Sequence, residues 1–121
     1  MVKNDSKHLL FIEPIRGPSA EPVVDDLTRR LTAAWRWRVT SVARYRGVHT
    51  NPCDPGVASD NADHYVGGPE GVGMMTHSLC LRYIAYFRAE APPAELEKVR
   101  LLPEEFADPT PEELAGGRSM W

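Results

Sequence analysis

Thr76-His77-Ser78-Leu79-Cys80-Leu81-Arg82-Tyr83-Ile84-Ala85-Tyr86-Phe87-Arg88-Ala89-Glu90 carries the strongest periodic apolar signal of the chain. Leu79, Tyr83 and Phe87 recur at four-residue spacing with Cys80, Leu81 and Ile84 beside them, so one side of a helix is apolar. Thr76 stands where an N-cap belongs, and Pro92-Pro93 cannot continue the helix. The pattern predicts a central helix over 76–90 whose stripe faces the core.

Upstream of that helix, Tyr65-Val66 and the run 72–75 flank Gly67-Gly68-Pro69-Glu70-Gly71, the pattern of a β-hairpin with a five-residue connection. A strand is predicted over about 39–49, because Thr40, Val42 and Tyr45 suit strands and Gly47 interrupts a helix. Before it, Pro22 fits a first helical turn and Asp25 and Asp26 suit its positive end. Val24, Leu27, Leu31 and Trp35 then give an amphipathic helix over about 22–35. Leu9-Leu10-Phe11-Ile12, stopped by Pro14, reads as a short buried strand. Downstream, 94–102 forms a shorter helix, and Thr110-Pro111-Glu112-Glu113-Leu114 with Gly116-Gly117 combines a cap, a proline first turn and a glycine stop. The predicted fold class is α+β: a single small domain over 1–121, with a short antiparallel sheet or hairpin packed against two or three helices. Residues 1–7 and 115–121 are the predicted mobile ends.

With 121 residues, 42% hydrophobic and 26% charged, the chain has the size and composition of one globular domain. No apolar run approaches the roughly 20 residues that span a bilayer. The start runs from Met1 to His8 into only a short apolar stretch instead of a signal-peptide core, so the expected compartment is the cytoplasm and no membrane partner is expected. A Cys53–Cys80 disulfide ranks below free thiols or metal ligation in that setting.

The net charge of −3 conceals an uneven distribution. Six arginines (Arg29, Arg30, Arg36, Arg38, Arg44, Arg46) occupy 29–46 without an acid. Eight acids (Glu90, Glu95, Glu97, Glu104, Glu105, Asp108, Glu112, Glu113) stand over 90–113 against Lys98 and Arg100. Either the two segments neutralise each other in the fold, or the basic one forms a docking surface.

The chemistry-bearing residues are concentrated between 49 and 80. His49, Cys53, His77 and Cys80 form two pairs that a fold could bring together as a structural zinc site, with His64 as an alternate ligand. The plainer reading makes Cys80 a small buried hydrophobe and the histidines ordinary hydrogen-bonding groups. Asp60, Asp63, His64 and His77 could instead supply the acid, base and carboxylates of a small metal-dependent hydrolase. No nucleophile elbow, His-Glu-x-x-His or phosphate-binding loop is present. Trp35 and Trp37 interleaved with Arg36 and Arg38 also fit a binder of single-stranded nucleic acid, although tryptophans at such spacing are more often core anchors.

Small size, opposed charge segments and the terminal Trp121 favour a soluble binding or regulatory protein acting through protein–protein contacts. Arg36, Trp37, Arg38 and Trp121 are the candidate partner-binding residues. The metal-dependent hydrolase and the nucleic-acid binder are the alternatives, in that order.

Overall fold

The computed structural model describes residues 7–42, 57–60, 62–67, 73–116 and 118–119. It is an α+β domain. The helices are α1 (Asp26–Arg36), α2 (Cys80–Tyr86), α3 (Pro93–Val99) and α4 (Pro111–Ala115). The strands are β1 (Val39–Val42), β2 (Val57–Ala58), β3 (Ala62–Val66), β4 (Met74–Thr76) and β5 (Arg118–Ser119). Among the described residues β1, β3 and β4 form an antiparallel sheet in that order, and β2 pairs with β5.

Register decides which residues share a face, because side chains alternate along a strand. Thr40 lies opposite His64 and His64 opposite Thr76, while Val66 lies opposite Met74. This row faces the helices: Val66, Met74, Leu31, Trp35, Cys80, Leu81 and Ile84 join one buried cluster. Val39, Tyr65 and Met75 form the opposite row.

The helix α1 starts where its cap chemistry places it, with the Asp25 carboxylate accepting from the Thr28 N–H at 3.2 Å. The same carboxylate takes two bonds from the Arg88 guanidinium at 2.6 and 2.7 Å, tying the start of α1 to the short 3-10 turn that follows α2. Those bonds from Arg88, above all, hold the Asp25 carboxyl well below the usual carboxylate range. A carboxyl depressed in the folded state contributes stability above its unfolded value, near ~3.9, and that contribution is lost as pH falls through the folded value. Asp25→Asn therefore lowers the melting midpoint at neutral pH, and its deficit against the parent shrinks in strong acid. A deficit of constant size from pH 7 down to pH 2 would refute this origin.

Three predicted elements are corrected. Thr76 does not cap the central helix; it ends β4, and its hydroxyl donates to the Leu9 carbonyl at 2.9 Å. The helix begins four residues later, with Leu79 at the cap position and no side-chain cap, because pairing with β3 claims 74–76. Leu9–Ile12 is buried as predicted but is not a strand. The main chain bonds alongside β4 through Lys7 and Leu9 (2.7 and 2.9 Å to Met75). Leu10 then turns to a φ of 58°, and its N–H leaves the sheet for the Glu95 carboxylate at 2.8 Å. α1 starts at Asp26 instead of Pro22. At the other end of the chain, α4 has the predicted capping box between Thr110 and Glu113.

Among the described residues, no helix is long and apolar enough to cross a membrane.

Candidate functional site, a hydroxyl, imidazole and carboxylate in one row

Asp60 and His64, two of the residues singled out for acid and base chemistry, lie together. The His64 ring is 2% exposed, and its Nε2 stands 2.9 Å from both carboxylate oxygens of Asp60. Its other nitrogen, Nδ1, lies 3.0 Å from the Thr40 hydroxyl and 3.2 Å from Arg38 Nε. An arginine Nε–H can only donate, so Nδ1 is the acceptor, and the ring proton sits on Nε2, pointing at Asp60. The tautomer follows from the partners alone.

Each part is fixed by a different element. Thr40 and His64 are cross-strand partners on β1 and β3. The Asp60 backbone N–H donates to Ser78 Oγ at 2.9 Å, so the turn before α2 sets the carboxylate. Trp35 from α1 lies against the imidazole with ring centroids 4.7 Å apart, and the Arg38 guanidinium stacks over Trp35 at 4.0 Å. Arg38 also donates to the Trp35 carbonyl at 3.0 Å. Thr40 is exposed and the Asp60 side chain is 42% exposed, so the row runs from solvent through a buried ring back to the surface.

The other acid and base candidates are elsewhere. Asp63 precedes His64 on β3 and so takes the opposite face, across from Ser41. His77 sits between Phe11 and Tyr83, at centroid distances of 4.8 and 5.1 Å. It donates from Nε2 to the Leu10 carbonyl at 2.6 Å and accepts at Nδ1 from the Leu79 N–H at 3.1 Å, a neutral ring holding the N-terminal segment to the start of α2.

Of the candidate zinc ligands, His49 and Cys53 lie outside the described residues. Cys80 is a fully buried free thiol in the core, and burial pushes it up to about 12. In this arrangement both nitrogens of His77 and both of His64 are bonded within the protein. Ligation by His77 and Cys80 would require breaking those bonds and ionising a desolvated thiol. Among the described residues, no three His, Cys, Asp or Glu side chains are grouped to hold a metal ion.

The candidate partner-binding residues also separate. Arg36 donates to both oxygens of Glu113, at 2.8 and 3.1 Å, and to the Asp108 carbonyl at 2.7 Å. This ion pair, foremost, lowers the Glu113 carboxyl below its ordinary value. Arg29 pairs with Asp108 at 2.8 Å, and Arg30 donates to the Leu102 carbonyl at 2.7 Å. For Arg29 and Arg36 the basic and acidic segments neutralise each other within the fold. Trp37 is 78% exposed, and Trp121 lies outside the described residues.

Sequence reasoning missed Thr40, Ser78 and the role of Arg38 at this site. Nothing in their local spacing marks them; they join it through strand register and the turn before α2.

No family model matches the chain, and neither do the curated proteins or the solved structures.

Proposed function

We propose that this chain is a protein-binding module whose docking surface is the apolar patch of Trp37, Val39 and Tyr65. The observation that carries the reading is their exposure, 78%, 68% and 41%, with Val39 and Tyr65 directly opposite each other on the face of the sheet turned away from the helices. Val39 and Tyr65 are paired across the strands and Trp37 stands two residues before Val39 in the chain; exposed large apolar side chains of this kind are what interface anchors look like, and aromatic residues dominate such anchors. β1 is moreover the edge of the sheet among the described residues, so its neighbourhood offers main-chain groups as well as side chains. Another protein fits better than nucleic acid, because Arg29, Arg30, Arg36 and Arg38 all direct guanidinium N–H groups at internal partners. Cys80 as a free thiol is in keeping with a cytoplasmic setting.

Arg36 is thereby a poor probe of docking, since reversing its charge breaks an internal ion pair. Trp37→Ala with Tyr65→Ala is the better one. Proteins captured by the tagged parent chain and identified by mass spectrometry are lost with the double variant, at least tenfold in affinity, while the melting midpoint moves little. Capture that survives the double substitution within threefold would end the assignment of docking to this face.

A further inference from the structure

Beyond docking, the row of Thr40, His64 and Asp60 points to chemistry. We propose that these three residues form a hydroxyl–imidazole–carboxylate relay that takes the acyl group of a carboxylic ester onto Thr40 and passes it to water.

Three independent observations converge on it. Thr40 is an exposed residue, and its hydroxyl stands 3.0 Å from Nδ1, within reach of proton transfer. The Arg38 Nε–H at the same nitrogen fixes the tautomer in which Nδ1 carries the lone pair, the form a base needs on the hydroxyl side. Asp60, 2.9 Å beyond Nε2, holds that tautomer from the far side and stabilises the imidazolium when Nδ1 gains a proton. The ring itself is clamped by Trp35 and by strand pairing on both sides, so the alignment lies on rigid elements.

The atoms balance with water as the co-reactant. Thr40 Oγ1 bonds to the ester carbonyl carbon and its proton passes to His64 Nδ1. The bond from that carbon to the alkoxy oxygen then breaks, and the alcohol leaves with the proton from Nδ1. Water next attacks the acyl-threonine, giving a proton to Nδ1. Thr40 recovers a proton from the same nitrogen as the acid departs. Arg38 shares Nδ1 with Thr40, so a guanidinium stands on the same side of the ring as the hydroxyl that forms the adduct. Thr40 and His64 are catalytic in this scheme, and Asp60 is a positioning residue.

The test uses the full chain with a fluorophosphonate probe and with p-nitrophenyl acetate. The expected result is one phosphonyl adduct per chain, mapped by mass spectrometry to the peptide carrying Thr40. It is absent in Thr40→Ala and retained in Thr40→Ser. Because Thr40 is exposed, Thr40→Ala keeps its melting midpoint while ester turnover falls on the order of 10³-fold. Asp60→Asn slows both reactions by up to about 10⁴-fold, because a neutral amide beside Nε2 does not stabilise the imidazolium that forms when Nδ1 gains a proton. That rate loss with an unchanged midpoint is what a purely structural carboxylate would not produce. A cooperatively folded parent that forms no adduct at Thr40, or a Thr40→Ala variant that still turns over the ester at the parental rate, overturns the proposal.

Discussion

Ile84→Asp abolishes the cooperative melting transition. Ile84 is fully buried on α2 in the cluster that contains Leu31, Trp35, Val66, Met74 and Leu81, where the helical layer meets the sheet. The substitution forfeits the roughly 1.5–3 kcal/mol that burial of such a side chain contributes, and it strands a carboxyl group where no donor serves it. Together these losses reach the ~5 kcal/mol range that marks severe core lesions, against a total stability of about 5–15 kcal/mol for a domain of this kind. Ile84→Val, costing about 0.5–1.5 kcal/mol, provides the control that melts cooperatively at a slightly lower temperature. Thermal melts followed by near-ultraviolet circular dichroism separate the two. A soluble Ile84→Asp protein with a cooperative melt would mean that the stripe of α2 does not face the core.

Glu95→Ala costs about 3–5 kcal/mol, as expected when one member of a buried ion pair is removed. Glu95 lies on α3 and is 2% exposed, a placement that its position in the acidic segment gave no reason to expect. One carboxylate oxygen accepts from the Leu10 N–H at 2.8 Å, the other from Lys98 Nζ at 2.6 Å, and Lys98 donates onward to the His8 carbonyl at 2.8 Å. The pair therefore anchors the N-terminal segment at the residue whose φ is 58°, and removing the carboxylate leaves both the Leu10 N–H and the ammonium short of an acceptor. Replacing both members, Glu95→Met with Lys98→Met, removes the ionic pair without stranding a charge and restores most of the loss. Chemical denaturation of the parent and the two variants gives the comparison. A double variant as unstable as Glu95→Ala would show that the Leu10 N–H, instead of the uncompensated ammonium, sets the cost.

The candidate site was half legible. Asp60 and His64 stand four residues apart, and their residue types alone recommended them for acid and base chemistry. Asp63 and His77 carried the same recommendation and went elsewhere. Asp63 is one residue from His64, which on a strand means the opposite face. His77 is one residue past Thr76, and its two nitrogens meet the Leu10 carbonyl and the Leu79 N–H. Thr40 gave no signal, because a hydroxyl in a strand of valine, serine and threonine is indistinguishable from its neighbours until the register sets it opposite His64.

By itself the sequence determined what depends on near neighbours along the chain. The amphipathic stripe of α1, the stripe of α2, the cap at Thr110 and the α+β class all follow from spacing of a few residues. Tertiary structure alone decided what depends on groups far apart in sequence. It took Thr76 from a helix cap into a strand, since pairing with β3 and a bond to the Leu9 carbonyl outweigh one local cap. It turned Leu10 out of a strand toward Glu95, 85 positions away. It also matched Arg29 and Arg36 with acids 79 and 77 positions away, so for these two arginines the opposed charge segments neutralise each other in the fold. Local spacing can say that a residue is apolar, charged or able to cap. Which distant group will satisfy it is set only when the fold brings the two together, because a buried polar group left unpaired costs more than the local preference it overrides.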